Sequence, residues 1–268
     1  MSLVDYSFAD AVARIRLNDA ARGNPLNQAI LDALADAVRR ARADDAHVVV
    51  LTAAGKAFSV GGDVAAFGAT DDPGQLVDDL AESLHRVVSE LHRMEAVVVS
   101  AVAGAAAGAG LALAAAADLV LASESARFTV AYTKLGFSPD GGTSLLTASL
   151  GLHRLLKLAL LNPVLGADEA QALGLVAQVH PDAELDRAVE GVVGVLRAGS
   201  RAAQVAVKRL ARETSTPAEE TALRRETLSI RARAASPDGR EGVAAFLAKR
   251  APEFPASPVR ATMSPKMP

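Results

Sequence analysis

The fold is decided by residues 97–118, which read VVVSAVAGAAAGAGLALAAAAD and carry no charge before Asp118. A run of that length would suffice for a membrane-spanning helix. However, it opens with three valines and is interrupted by Gly104, Gly108 and Gly110. Alanine and glycine contribute little to membrane insertion. We therefore predict a buried strand, a glycine turn and a buried helix of small residues.

The segments on both sides alternate between strand and helix patterns. The further elements predicted are strands at 11–18, 47–52 and 119–122 and amphipathic helices at 27–43 and 75–94. Such alternation implies βαβ units, so we predict one α/β domain over residues 1–195. Residues 196–268 differ, because they are charged and helical from Arg201 onward and end in a proline-rich tail. This C-terminal helical region has little core of its own, and we expect it to pack on the main domain or on a neighbouring subunit.

The composition argues against several classes of function. Aromatic residues make up 3% of the chain and tryptophan is absent, which disfavours the stacking platforms that bind single-stranded nucleic acids. Without cysteine there is no disulfide, no thiolate metal site and no cysteine nucleophile. The net charge of −3 argues against a polyanion partner, and the N-terminus shows no signal-peptide pattern. We expect a cytoplasmic protein that binds neither nucleic acid nor membrane.

Two glycine-containing motifs follow predicted strands. Residues 55–64, GKAFSVGGDV, contain Gly61 and Gly62, which allow a sharp turn that leaves backbone N–H groups free to donate. This motif lacks the spacing of a Walker or dinucleotide-binding loop. Residues 104–111, GAAAGAGL, open a helix, and the first N–H groups of a helix are unpaired and suit a developing oxyanion. Taken alone, each motif has a simpler explanation, an ordinary turn for the first and close packing for the second.

The third motif places an acidic residue before two glycines. Residues 135–143 read LGFSPDGGT and precede a helical run to Leu150. Asp140 fits either a turn former or a catalytic acid, and the local sequence alone favours the turn, because Pro-Asp-Gly is a strong turn signal. The histidines are scattered, and His85 and His92, seven residues apart on one predicted helix, are expected on a solvated face. No metal site is predicted.

The three motifs in this order, each on a strand-to-helix loop, resemble the enoyl-CoA hydratase/isomerase family, also called the crotonase superfamily. The resemblance extends over nearly the whole chain through the stretches 12–27, 114–118, 170–175 and 240–250. It implies an α/β fold with a crotonase-like ββα spiral core and a C-terminal helical region. The position of Asp140 coincides with the acidic residue before Gly-Gly in 3-enoyl-CoA isomerases and phenylacetate-pathway isomerases, so the resemblance is nearest to those members.

The resemblance implies a reaction that passes through an enolate of an acyl-CoA thioester. The thioester oxygen would lie between the backbone N–H groups of Gly62 and Ala109, since fixed donors stabilise charge where it develops. Hydratases of the family use two glutamates, at positions that here hold Ala112 and Tyr132, and adding water needs two such groups. Moving a double bond from C3 to C2 needs only one carboxylate, and this proton transfer is assigned to Asp140.

The resemblance also implies residues that bind the substrate. They are Ala21, Arg22, Gly23, Val60, Asp63, Tyr132, Phe246 and Lys249. A packing role fits Tyr132 equally, and a loop-supporting role fits Asp63. No cofactor is expected, because coenzyme A is part of the substrate. Phe246 and Lys249 would close over coenzyme A, often from the adjacent subunit of a homotrimer or hexamer.

Three hypotheses for the function follow. The first is an acyl-CoA double-bond isomerase. The second is a hydratase, or another enzyme of enolate chemistry, with a non-standard acid or base. The third is a non-catalytic acyl-CoA-binding protein that has kept the fold after losing the glutamates.

Overall fold

The structure of the protein is a computed structural model that describes residues 2–216 and 218–254. Its strands are β1 Val4–Ala9, β2 Val12–Leu17, β3 Val48–Ala53, β4 Ala57–Ser59, β5 Val97–Val102, β6 Ala105–Ala107, β7 Leu119–Ser123, β8 Arg127–Thr129, β9 Leu165–Gly166 and β10 Gln178–His180. Its helices are α1 Gln28–Ala43, α2 Val64–Gly68, α3 Pro73–Arg93, α4 Ala109–Ala115, α5 Thr147–Leu150, α6 Leu152–Leu161, α7 Ala167–Ala172, α8 Leu185–Ala198, α9 Arg201–Ser215, α10 Glu219–Ala234 and α11 Pro237–Leu247. Most of the predicted proline-rich tail, residues 255–268, lies outside the described residues.

The larger sheet carries the core. Its strand order is β1-β2-β3-β5-β7-β10, and every pair is parallel except the β1–β2 hairpin. All six residues of β5 are buried, as expected of a parallel strand that is covered on both faces. The predicted strand at 11–18 is β2. The sequence analysis missed β1, because this edge strand is largely exposed and lacks a continuous apolar run.

The segment 97–118 forms the predicted strand, turn and helix, together with a strand that was not predicted. After β5, the chain turns at Gly104 with φ +70°, where a Cβ atom would lie 1.9 Å from the carbonyl oxygen of Lys56. The three alanines of β6 then pair in parallel with β4 and with β8 in the smaller sheet, whose order is β4-β6-β8-β9. Three alanines include no β-branched residue that would indicate a strand. The strand is recognised only by its hydrogen-bonded pairing with β4 and β8.

The two long helices of the core begin at polar caps. The prediction of a helix over 27–43 is confirmed by α1, where the side chain of Asn27 accepts the N–H of Ile30 at 3.0 Å. The predicted helix 75–94 is α3, which begins two residues earlier, at Pro73, after the cap Asp72. Proline is favoured in the first turn because its missing N–H would have no partner there.

The C-terminal helices pack against the core of the same chain. Lys208 on α9 donates to the carbonyl oxygens of Leu91 and Ala96 at 2.7 and 2.8 Å, and α10 lies along α3. The boundary at residue 195 stays a prediction. Within the described ranges, none of the helices is both long and apolar enough to cross a lipid bilayer.

Candidate active site

The two glycine-containing loops meet at the edge of the smaller sheet. The loop after β4 is fixed by a hydrogen bond from the N–H of Leu26 to the carbonyl oxygen of Gly61, at 2.7 Å. Gly61 has φ +90°, and a Cβ atom there would lie 2.7 Å from the carbonyl oxygen of Ala107 and 3.5 Å from the nitrogen of Ala109. Only glycine allows this approach, which places Gly62 beside the first turn of α4.

The two proposed oxyanion donors both face one pocket. Gly62 and Ala109 line the same cavity. Neither of their N–H groups donates to another group of the described residues. Ala109 opens α4, so its N–H has no partner within the helix. The arrangement supplies two backbone donors to whatever enters the pocket.

The pocket is small and apolar, with a volume of about 90 Å³. Its apolar end is walled by helix side chains and by the ring pair of Phe67 and Phe137, whose centroids are 5.8 Å apart. Among the described residues that line it, Asp140 is the one acidic group. Tyr132 lines it too, but its hydroxyl donates to the carbonyl oxygen of Asp140 at 3.0 Å.

Asp140 is both a turn residue and a buried acid. Gly141 and Gly142 follow it with φ of +72° and +92°, and the hydroxyl of Thr143 donates to its carbonyl oxygen at 2.7 Å. These contacts confirm the turn that Pro-Asp-Gly predicts. The Asp140 side chain is nevertheless buried, and it lines the pocket together with Gly62 and Ala109. A turn former and a candidate catalytic acid are therefore the same residue.

Behind Asp140 lies a cluster that the sequence analysis missed. His85 Nε2 is 2.9 Å from Asp140 Oδ1 and 3.7 Å from Glu226 Oε2. Asp140 Oδ1 has no well-aligned hydrogen-bond donor among the described residues. The contact between His85 and Asp140 is therefore mainly an electrostatic attraction. Neither His85 nor Glu226 lines the pocket itself.

The expectation that His85 and His92 lie on a solvated face is wrong. They are 6% and 8% exposed, because α10 covers this side of α3. His92 Nδ1 lies 3.0 Å from Glu219 Oε1. One signal in the sequence pointed to this cover: Leu223, Thr227 and Ile230 follow a helical spacing, and Glu226 lies beside that stripe.

The cluster shifts the acidities of its members. Burial raises the pKa of Asp140, the adjacent His85 opposes that shift, and the charge of Glu226 reinforces it. Burial alone would lower the pKa of His85, but its contacts with Asp140 and Glu226 raise it to about 9. Burial also raises the pKa of Tyr132 well above its ordinary value, so this phenol stays neutral. Asp140 and His85 thus compete for a proton at the edge of the pocket.

The same three residues have the chemistry of a metal site, and within the described ranges they are the one such group. Their ligand atoms lie within 4.8 Å of one another. However, the two oxygens of Glu226 already accept the N–H groups of Gly142 and Ser144, at 2.7 and 2.6 Å. An ion-pair cluster accounts for these contacts without a metal ion.

The remaining predicted substrate-binding residues fall into two groups. Arg22 pairs with Asp63 at 2.5 Å, and Gly23 contacts the half-exposed Val60 beside the pocket, with Ala21 exposed next to them. Phe246 and Lys249, in contrast, lie at the end of α11 and do not line the pocket of their own chain. Phe246 is 59% exposed.

The chain is similar to known proteins over most of its length. A family model described as enoyl-CoA hydratase/isomerase matches residues 7–257. A probable enoyl-CoA hydratase of Rhodobacter capsulatus is 36% identical, over 94% of this chain and 97% of its own. A trans-2-decenoyl-[acyl-carrier-protein] isomerase of Streptococcus mutans is 32% identical, over 93% and 96%. A 1,2-epoxyphenylacetyl-CoA isomerase of Escherichia coli is 35% identical, over 91% and 94%.

Among solved structures, a crystal structure of an enoyl-CoA hydratase from Mycobacterium avium subsp. paratuberculosis superposes with a TM-score of 0.86. It shares 33% identity with this chain and covers 94% of it and 98% of its own length. The crotonase-like fold implied by the sequence motifs is thereby confirmed, including the helical C-terminal region.

Proposed function

Because the chain belongs to the enoyl-CoA hydratase/isomerase family, we propose that it is an acyl-CoA double-bond isomerase that converts a 3-enoyl thioester into the conjugated 2-enoyl thioester. One observation carries the proposal: among the residues that the structure describes, the pocket that presents two free backbone donors, at Gly62 and Ala109, is lined by a single carboxylate, Asp140.

The backbone donors would bind the thioester oxygen. As a proton leaves C2, its electron pair is delocalised onto this oxygen, and the N–H groups of Gly62 and Ala109 stabilise the negative charge that develops there. Donors that are fixed before the reaction need no reorganisation, and losing one of them typically costs about 10²–10³ in rate. An apolar pocket strengthens the effect, because it excludes the water that would screen the charge.

Asp140 would carry the proton. Its carboxylate takes the proton from C2, the C3–C4 double bond shifts to C2–C3, and the same carboxyl group returns the proton to C4. The reaction is balanced, because no atom is gained or lost. Burial raises the pKa of Asp140, and a carboxyl group with a raised pKa is better suited both to accept and to return a proton near neutral pH.

A hydratase is the second candidate, and the names of two of the proteins compared above favour it. Hydration needs one group to activate water and another to transfer a proton at the neighbouring carbon. The positions of the two family glutamates hold Ala112 and Tyr132, and the hydroxyl of Tyr132 is bonded to the backbone of Asp140. His85 lies behind Asp140 and does not line the pocket. These contacts favour isomerisation.

The substrate's coenzyme A part would bind at the mouth beside Val60. Ala21, Arg22, Gly23 and Asp63 cluster there in this chain. Phe246 and Lys249 would act on a neighbouring chain in a homotrimer or hexamer, and the exposure of Phe246 supports this assignment.

A panel of thioesters tests the proposal. With a 3-enoyl-CoA, we expect the ultraviolet absorbance of the conjugated thioester to rise. A 3-hydroxyacyl product formed from a 2-enoyl-CoA at a useful rate would favour the hydratase instead. Tight binding without turnover across the panel would show a non-catalytic acyl-CoA-binding protein. Asp140→Asn should abolish isomerisation, whereas Asp186→Asn, an exposed aspartate on α8, should not.

A further inference from the structure

We propose that His85 is a positioning residue for Asp140: its imidazolium, held by Glu226 and Thr227, keeps the Asp140 carboxylate ionised and aimed into the pocket. The inference rests on the proposed role of Asp140 as the proton carrier. It assigns a function to a buried histidine and a buried glutamate that the motifs do not include.

The protonation of His85 follows from its contacts. The hydroxyl of Thr227 lies 3.1 Å from Nδ1 and 3.3 Å from the carbonyl oxygen of Leu223. Because a carbonyl oxygen can only accept, Thr227 donates to Leu223 and accepts from Nδ1–H. One proton of the imidazole is therefore on Nδ1.

The second proton lies on Nε2. This atom has three polar neighbours: Asp140 Oδ1 at 2.9 Å, the N–H of Gly141, which points at it as a donor from 3.3 Å, and Glu226 Oε2 at 3.7 Å. The Gly141 contact favours a lone pair on Nε2, but it is longer and weaker than the contact with the Asp140 oxygen. Two of the three are carboxylate oxygens, which a bare Nε2 lone pair would repel and an Nε2–H attracts. The charged imidazole is thus the form that fits the site.

Glu226 fixes the cluster to the catalytic loop. Its Oε2 accepts the N–H of Gly142 at 2.7 Å and its Oε1 accepts the N–H of Ser144 at 2.6 Å. These two residues lie two and four positions after Asp140 in the chain, so α10 holds the loop and the histidine with one side chain. Helix α10 of the C-terminal region thereby fixes the position of Asp140, which lies on the core.

The other charged groups around His85 lie on its outer side. They line a surface groove between α1, α3 and the start of α10, and they are Asp32, Arg39, Glu82, Arg86, Glu90, Arg93 and Glu220. Four of them are acidic and three are basic, and charges at the surface are screened by solvent. Asp140 and Glu226, both buried, are the groups that determine the charge of His85.

The imidazolium matters because Asp140 is otherwise in an unfavourable place for a base. An apolar pocket and the nearby negative charge of Glu226 both favour the protonated acid. A protonated carboxyl group cannot take the proton from C2. The positive charge of His85 opposes both effects without touching the substrate, since His85 does not line the pocket.

The pH profile of isomerisation tests the inference. In His85→Gln, which keeps a polar side chain but loses the charge, the Asp140 carboxyl should ionise at higher pH. We expect the acid limb of kcat/KM to move up by at least one pH unit, a loss of about fivefold at the original midpoint and about tenfold well below it, with KM little changed. His92→Gln, the matched control on the same helix, should leave the profile in place. An unshifted acid limb in His85→Gln would overturn the inference.

A second measurement does not depend on activity. In ¹⁵N imidazole spectra, the resonance that His85→Gln removes should titrate near pH 9, and it should titrate lower in Glu226→Gln. Thr227→Val replaces the hydroxyl with a methyl group of similar shape and should also lower the pH at which His85 titrates. This variant provides the test if His85→Gln does not fold. An ordinary titration near 6.5 would overturn the inference.

The two sets of outcomes separate the proposals. If the thioester panel shows no isomerisation but His85 titrates near 9, the proposed function fails and the charged cluster stands. If Asp140→Asn is inactive and His85→Gln keeps the normal pH profile, the function stands and the positioning role of His85 is wrong.

Discussion

His85 and His92 lie two turns apart on α3 and are almost equally buried, yet their neighbours give them different charge states. Asp140 and Glu226 raise the pKa of His85 to about 9. Burial lowers the pKa of His92, and Arg212 adds to that effect against Glu219. The same residue type on the same helix is therefore an imidazolium in one place and a neutral imidazole in the other.

The carboxylates near the two histidines also differ, in how many hydrogen-bond and ion-pair partners they have. Asp118 accepts the N–H of Val98 at 2.9 Å and pairs with Lys208 at 2.9 Å and Arg212 at 2.7 Å, so both of its oxygens are occupied. Asp140 lines the pocket, and its Oδ1 has no well-aligned donor among the described residues. A saturated carboxylate holds two parts of the chain together, whereas a partly free one is available for chemistry.

The largest effect is expected from Asp140→Asn. Isomerase activity should fall by about 10²–10⁴, the usual contribution of a positioned acid or base. The loss in free energy of unfolding should stay below the value of about 3–5 kcal/mol expected when a buried charge loses its only partner, because Glu226 remains as a counter-ion of His85. Kinetics and urea unfolding of the same sample check both statements. A large loss of stability would mean that Asp140 is a structural residue like Asp118.

Asp118→Ala should show the reverse pattern. It would leave the buried ammonium of Lys208, which is 8% exposed, without a counter-ion. We expect the free energy of unfolding to fall by about 3–5 kcal/mol, measured by urea unfolding. The activity of each folded molecule should be retained. An inactive but stable Asp118→Ala protein would contradict the distinction between the two carboxylates.

The smallest effects are expected in the pH dependence of stability. The pKa of His85 is raised, so its contribution is present below about pH 6.5 and is lost as the pH rises through about 9. It amounts to about 3 kcal/mol at most. The pKa of His92 is lowered, so its contribution is present above its unfolded value of 6.5 and is lost as the pH falls.

Unfolding of the wild type, His85→Gln and His92→Gln across this pH range checks these signs. His85→Gln should remove part of the loss of stability at alkaline pH. His92→Gln should remove part of the loss of stability at acidic pH. Identical pH dependence in the two variants would show that the two histidines do not differ in charge.

The backbone half of the site could be predicted from the sequence because two short motifs resemble those of the family. Gly62 and Ala109 belong to short motifs that follow strands, and the structure places both at one pocket. The core strands and the two long helices were also predicted, since their apolar periodicity is strong. Strand β6 was not, because three alanines carry no strand signal.

The side-chain half of the site could be predicted only for Asp140. His85 and Glu226 are 141 positions apart in the chain and lie on different helices. The stripe of Leu223, Thr227 and Ile230 indicates that one face of α10 is covered, but it does not show that α3 is the partner. A histidine on an amphipathic helix indicates a solvated position until the covering helix is known. The contact between these helices is a tertiary feature, so the cluster becomes visible only in the structure.

The most direct test of the central claim is a single turnover with a 3-enoyl-CoA that carries deuterium at C2. If one buried carboxylate both removes and returns the proton, most of the transferred label should appear at C4 of the 2-enoyl product, as read by mass spectrometry and NMR. Conversion with solvent hydrogen at C4 and no label transferred would contradict the account.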